Sequence, residues 1–136
     1  MIEFAKIISQ LLEDYYVEYL IVGGTALMLY KQKIGTRDLD ILILNNEGNI
    51  SKFKNIINNE QLILDFKENM IIRVQGKPYC IDFHSRLDGL NEIDLFKNYT
   101  RMSIGNYNLR VINLTDLYKN LSAVKSNINE IIRTQV

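Results

Sequence analysis

Apolar residues recur at helical spacing along residues 2–15. Phe4, Ile7, Ile8, Leu11, Leu12 and Tyr15 fall on one stripe, which predicts an amphipathic helix. A short apolar run, 19–22, predicts a strand that stops at Gly23-Gly24. Residues 25–32 predict a helix with Ala26, Leu27, Leu29 and Tyr30 inward, and 38–44 a second strand. The polar run Asn45-Asn46-Glu47-Gly48-Asn49 reads as a loop, followed by an amphipathic helix over 50–58 with Ile50, Phe53, Ile56 and Ile57 on one side. Two strands, 70–75 and 79–85, flank the turn Gly76-Lys77-Pro78 and are expected to pair antiparallel. A short helix over 92–99 and a hairpin of 102–104 with 109–112 around Gly105-Asn106 come next. Thr115 is the expected N-cap of a final helix, whose stripe runs Leu117, Leu121, Val124, Ile128, Ile131. This order predicts an α/β (α+β) fold, a short mixed β-sheet flanked by helices.

Composition narrows the class. The chain has 136 residues, 47% hydrophobic, with no repeat and no Pro/Gly-rich linker, so a single domain over 1–136 is expected. Its 16 basic and 16 acidic residues cancel, so no global basic field draws it to nucleic acid. One cysteine, Cys80, excludes an internal disulfide. The N-terminus carries no basic stretch before an apolar run, and no apolar run is long enough to span a bilayer. The expectation is a soluble cytoplasmic protein with no membrane partner.

Asp38 and Asp40 are two apart on a predicted strand, so both carboxylates point to one face while Leu39 and Ile41 anchor the other. Like charges in a shared site call for a cation, and oxygen donors suit a hard one such as Mg²⁺ or Mn²⁺. Asp82 lies mid-strand on the face shared with Cys80 and His84. On an adjacent strand it would complete a three-carboxylate cluster able to hold two metal ions. Gly23-Gly24 ends a strand and opens a helix, where bare backbone and a positive dipole end suit a phosphate. Thr25 adds a hydroxyl there. No Walker loop is present, because no Gly-Lys-Ser/Thr follows.

Val22-Gly23-Gly24, a spacer of thirteen residues, Asp38-Leu39-Asp40-Ile41 and then Ile81-Asp82-Phe83 together resemble the DNA polymerase β-type nucleotidyltransferase superfamily. The resemblance implies the nucleotidyltransferase fold, an NTP (ATP among the candidates) and Mg²⁺ as cofactors, and transfer of a nucleoside monophosphate to a hydroxyl. It makes Asp38, Asp40 and Asp82 catalytic residues and metal ligands, and assigns the phosphate loop to Gly23, Gly24 and Thr25; Arg37, just ahead of the acids, is a further nucleotide-binding candidate. The layout is most similar to stand-alone bacterial nucleotidyltransferases of toxin–antitoxin and abortive-infection systems. Gly-Gly-Thr-Ala-Leu, Thr36-Arg37-Asp38-Leu39-Asp40 and Val111-Ile112-Asn113-Leu114-Thr115-Asp116-Leu117 carry that likeness. Where those relatives continue into Gly-Arg-x-Lys-Asp on the last helix, this chain reads Val124-Lys125-Ser126-Asn127. Small antibiotic adenylyltransferases are also similar, with a His two residues after the third Asp, as at His84. The acceptor stays open among a tRNA or other RNA, a protein and a small molecule. A non-catalytic nucleotide-binding or antitoxin-like module is the alternative, and a homodimer or partner protein through the C-terminal helix is a further expectation.

Plainer roles compete for several of these residues. A competing reading makes Asp82 a buried acid paired with Arg73 across the hairpin, and His84 reads as a structural histidine. Cys80 reads as an inert core thiol. Arg37 is either a phosphate-steering residue or a surface arginine, and Lys31 and Lys33 close a solvated helix end. Tyr15, Tyr16 and Tyr19 read as core and rim packing.

Overall fold

A computed structural model describes residues 1–31, 35–62, 64–66 and 71–135. In chain order the elements are α1 Ile2–Asp14, β1 Tyr19–Ile21, α2 Gly23–Lys31, β2 Asp38–Ile43, α3 Glu47–Asn59, β3 Leu64–Phe66, β4 Ile71–Val74, β5 Cys80–His84, α4 Glu92–Lys97, β6 Thr100–Ile104, β7 Tyr107–Val111 and α5 Leu114–Gln135. The described strands form one seven-stranded sheet in the order β3-β4-β5-β2-β1-β7-β6. The sheet is mixed, as expected: β2 runs parallel to β5 and β1 parallel to β7, and the other neighbours are antiparallel.

The strand alternation divides the sheet chemically. Leu39 and Ile41 of β2 and Ile81 and Phe83 of β5 are buried on one face. There α3 covers them, with the Phe53 and Phe83 rings edge to face at 4.7 Å between centroids. Asp38, Asp40 and Asp82 lie on the opposite face, beside α2. The two central strands carry the core, since Leu20, Ile21, Leu39, Ile41 and Leu42 are fully buried.

Several boundaries differ from the sequence expectation. Helix α3 begins at Glu47, inside the segment read as a loop. Asn46 caps it, accepting from Asn49 N–H at 2.8 Å. Asn49 itself is buried and clamps three backbone groups: it accepts from Glu18 N–H at 2.7 Å and donates to the carbonyls of Glu18 and Leu44 at 3.0 and 2.8 Å. Polar composition there serves a cap and a buried clamp rather than solvent. Strand β3 was not foreseen, because three residues are too few to show a period. Helix α5 begins at Leu114, and its cap is Asn113 rather than Thr115: Asn113 Oδ1 accepts from Asp116 N–H at 2.8 Å. Helix α4 is shorter than read, because Thr100 already pairs with Val111 in the terminal hairpin.

The α1 stripe is rotated from its expected position. Ala5, Ser9 and Leu12 are buried while Ile7 is 63% exposed, because small side chains let the helix sit close to the sheet. Tyr16 does not pack; it is 79% exposed at a left-handed turn residue, whereas Tyr19 is fully buried. Among the described side chains of the α5 stripe, Leu117 is buried, Leu121 packs partly buried against the core and Val124 is 37% exposed. The expected helix end at Gln32, Lys33, the strand start at Met70, and the side chains of Ile128 and Ile131 lie outside the described residues. No described helix is long and apolar enough to cross a membrane.

Candidate active site

The parallel pairing of β2 with β5 sets Asp40 opposite Asp82 and Asp38 opposite Cys80. Antiparallel pairing of β4 with β5 then sets Arg73 opposite Asp82. The three acids expected from sequence therefore share one face of adjacent strands, with an arginine in the same row. Arg73 Nε donates to Asp82 Oδ1 at 2.8 Å and Nη2 to Asp82 Oδ2 at 3.0 Å. The same Nη2 donates to Asp38 Oδ2 at 3.0 Å. The Asp82 side chain is 9% exposed and that of Arg73 22%, so this is a largely buried, forked ion pair. Hydrogen bonding to Asp82 holds the guanidinium more firmly protonated; burial opposes this, and the charges of Asp82 and Asp38 reinforce it.

Asp40 has a different partner. Its Oδ1 lies 3.1 Å from His84 Nε2, and its side chain is 21% exposed. Asp40 also packs on the glycine pair. Gly23 has φ +60, and a Cβ there would stand 2.9 Å from Asp40 Oδ2. Only glycine combines that backbone with that approach. Helix α2 starts at Gly23, two residues earlier than expected, with Ala26 N–H donating to the Val22 carbonyl at 3.2 Å. The N–H groups ahead of Ala26 make up the open end of the helix.

Thr25 is fully buried and its hydroxyl is committed to β2. It donates to the Asp38 carbonyl at 3.1 Å and accepts from Asp40 N–H at 3.2 Å. Thr36 donates to the same Asp38 carbonyl at 3.0 Å. Thr25 thus fixes the strand that presents the acids, rather than offering its hydroxyl to a phosphate. Arg37 is exposed beside Asp38.

A cleft of about 470 Å³ opens here, lined by Gly23, Asp40, His84, Arg86, Asn120 and Asn127 among others. Asn120 donates to the Asp88 carbonyl at 3.0 Å and Asn127 to Asp88 Oδ2 at 3.2 Å, tying the segment after β5 to α5. The pairing of Arg73 with Asp82 across the hairpin, weighed from sequence as a plainer role, is present, whereas Arg86 and Asn120 were not singled out. For Arg73 a signal existed: it faces Asp82 once the hairpin register is drawn. No local pattern marks Asn120 on α5.

Among the described residues, no three His, Cys, Asp or Glu side chains converge tightly enough to enclose a metal ion. The donors do suit Mg²⁺ in another way. That ion is held by one or two carboxylates together with substrate phosphates, and Asp38 and Asp40 are two part-exposed carboxylates on one strand face. In chemical terms the site offers an acidic edge, a helix N-terminus and a histidine beside a small-molecule-sized cleft.

No family model and no curated protein sequence matches the chain. Solved structures do. A Thermotoga maritima protein provisionally described as a nucleotidyltransferase superposes with a TM-score of 0.72 over 98% of this chain and 91% of its own, at 14% identity. The antibiotic-resistance factor ANT(2'')-Ia superposes with a TM-score of 0.55 over 81% of this chain and 63% of its own, at 10% identity. The chain has the fold of these proteins.

Proposed function

We propose that this protein is a metal-dependent nucleotidyltransferase that moves a nucleoside monophosphate from an NTP to a hydroxyl of an acceptor. The observation that carries the reading is the packing of Gly23 against Asp40. It sets Gly23 of the phosphate-loop motif against Asp40 of the acid pair, and both line one cleft.

Asp38 and Asp40 would hold Mg²⁺ or Mn²⁺, which when bound neutralises the carboxylates and polarises the α-phosphoryl group. Gly23, Gly24 and the first turn of α2 face the triphosphate with backbone N–H groups. Arg37, exposed next to Asp38 in the chain, is the further candidate for phosphate contact. The acceptor oxygen attacks the α-phosphorus, its proton leaves to a side chain, and the bond to the β-phosphate oxygen breaks to release pyrophosphate. Asp82, the third of the acids, is one candidate for that proton-accepting role. His84 is better placed for it, because it lines the cleft while both Asp82 oxygens accept from Arg73.

Zero net charge supports a small-molecule acceptor, or the exposed end of a larger one such as a tRNA, over a long nucleic acid. The fold shared with an antibiotic-resistance factor supports an antibiotic-like acceptor, and the sequence motifs alone support a toxin–antitoxin or defence setting in the cytoplasm. A non-catalytic nucleotide-binding module is the second reading. It is favoured by Arg73, which supplies Asp38 and Asp82 with a counter-charge from within the protein.

Incubation of the protein with each α-labelled NTP and a cell extract tests the proposal. Label is expected in RNA, protein or a small molecule, and Asp38→Asn and Asp40→Asn are expected to lower its transfer at least ~100-fold with folding retained. Equal transfer by either variant removes the assignment. Nucleotide binding with no labelled product from any NTP selects the second reading.

A further inference from the structure

We infer that Arg73 takes the place of one of the two divalent cations that a three-carboxylate transfer site would otherwise hold, so that this site works with a single divalent ion on its Asp38–Asp40 side. The inference rests on the nucleotidyltransferase reading above and goes beyond it in the number of ions and in the residue that sets it.

The argument is one of charge and position. Asp38 and Asp82, on adjacent strands, are one pair of acids whose repulsion a bridging cation would relieve. Arg73 already bridges them: a single nitrogen, Nη2, lies 3.0 Å from Asp38 Oδ2 and 3.0 Å from Asp82 Oδ2. A dication bonded to those same oxygens would stand a few ångströms from a guanidinium that does not lose its proton, and the two repel. Arg73 cannot swing aside cheaply. Its Nε and Nη2 hold Asp82 in a fork, and Asp82 is 6% exposed, so withdrawal would leave a buried carboxylate without that counter-charge.

The same geometry leaves room on the other side. Asp40 contacts His84 and Gly23 rather than Arg73, and it lines the cleft. Asp38 is the more exposed of the two bridged acids, its side chain 35% exposed against 9% for Asp82. An ion arriving with a triphosphate meets Asp38 and Asp40 first and needs nothing from Asp82. Arg73 is therefore a positioning residue: it acts on the ion count and on the placing of Asp38 and Asp82, without touching substrate.

Counting Mn²⁺ by electron paramagnetic resonance, on the intact chain saturated with the α,β-methylene analogue of each NTP in turn, tests this directly. The expected result is one Mn²⁺ per chain in the complex. Two per chain in the unaltered protein would overturn the inference while leaving the nucleotidyltransferase reading in place. No bound Mn²⁺ with any analogue would overturn both. Arg73→Met is expected to admit a second Mn²⁺, whereas Arg73→Lys keeps the charge and the count of one. A folded Arg73→Met protein that still binds only one also overturns it, and should that variant fail to fold, the count on the unaltered chain decides alone.

Discussion

Replacing Gly23 by alanine should damage stability and chemistry together, and by amounts that the structure sets. The residue sits at φ +60, where an L side chain costs about 1–2 kcal/mol. The added methyl would also stand 2.9 Å from Asp40 Oδ2, 3.1 Å from its Cγ and 3.2 Å from its Cβ. Because Cβ is involved as well as the flexible end, rotating Asp40 does not relieve the overlap, and about 1 kcal/mol of rotamer or backbone strain adds to the first term. The sum is roughly 2–3 kcal/mol. With a urea slope of about 1–3 kcal/mol per molar, the unfolding midpoint falls by roughly 0.7–3 M, read by far-ultraviolet circular dichroism. Gly24 is the internal control. Its nearest neighbour to an added Cβ is Thr36 Oγ1 at 3.4 Å, and its φ is not left-handed. Gly24→Ala should be neutral, or stabilising by up to ~1 kcal/mol, since alanine suits a helix better than glycine. Displacing Asp40 by a fraction of an ångström should also lower nucleotidyl transfer by on the order of 100-fold at urea-free temperatures where Gly23→Ala is still folded. A Gly23→Ala midpoint equal to that of the unaltered protein, or an equal loss in Gly24→Ala, would refute the claim that this glycine is required by its backbone and by Asp40.

Other perturbations follow from single contacts. Asn49→Ala removes three hydrogen bonds from one buried side chain and should destabilise the fold by about 2–4 kcal/mol, seen as a lower urea midpoint with an unchanged slope; a loss below ~0.5 kcal/mol would show that water replaces the clamp. Leu117→Ala, at a fully buried position of α5, should cost about 2–5 kcal/mol, whereas Val124→Ala on the same helix should cost under ~1 kcal/mol; equal costs would mean that α5 packs along its whole stripe. Burial pushes the Tyr19 hydroxyl above its ordinary 10.0, with the Glu13 charge acting in the same direction. The folded state then holds that proton more tightly than the unfolded chain, so the contribution is complete below pH 10, erodes as pH rises through 10 and is lost by the folded-state value. Urea melts between about pH 8 and 11 should show this fall, and Tyr19→Phe should make it shallower; identical pH profiles would show that Tyr19 does not titrate with folding.

Local chemistry was legible where it is written in adjacent residues. Gly23-Gly24 and Asp38-Leu39-Asp40 could be read directly, because the tight turn and the period-two alternation act within a few residues. The segment 45–49 was misread for the opposite reason. Its asparagines look like loop residues, yet Asn46 caps a helix and Asn49 bonds to Glu18, thirty-one positions away. The cap of α5 failed in the same way, since Asn113 and Thr115 are both capping residues by type and only the backbone shows which one accepts from Asp116 N–H.

The sequence by itself determined which side chains carry charge toward one face: alternation along β2 places Asp38 and Asp40 together whatever lies beside them. What only the tertiary structure decided is who neutralises them. That depends on the order β4-β5-β2 and on a register that sets Arg73 against Asp82 and Asp40 against Asp82. Cross-strand register is fixed by burying Leu39, Ile41, Ile81 and Phe83 on the other face, a condition satisfied by the whole sheet and by no single segment. An acidic motif that looked like a cage for metals is, in the folded protein, an acidic edge already half-balanced by its own arginine.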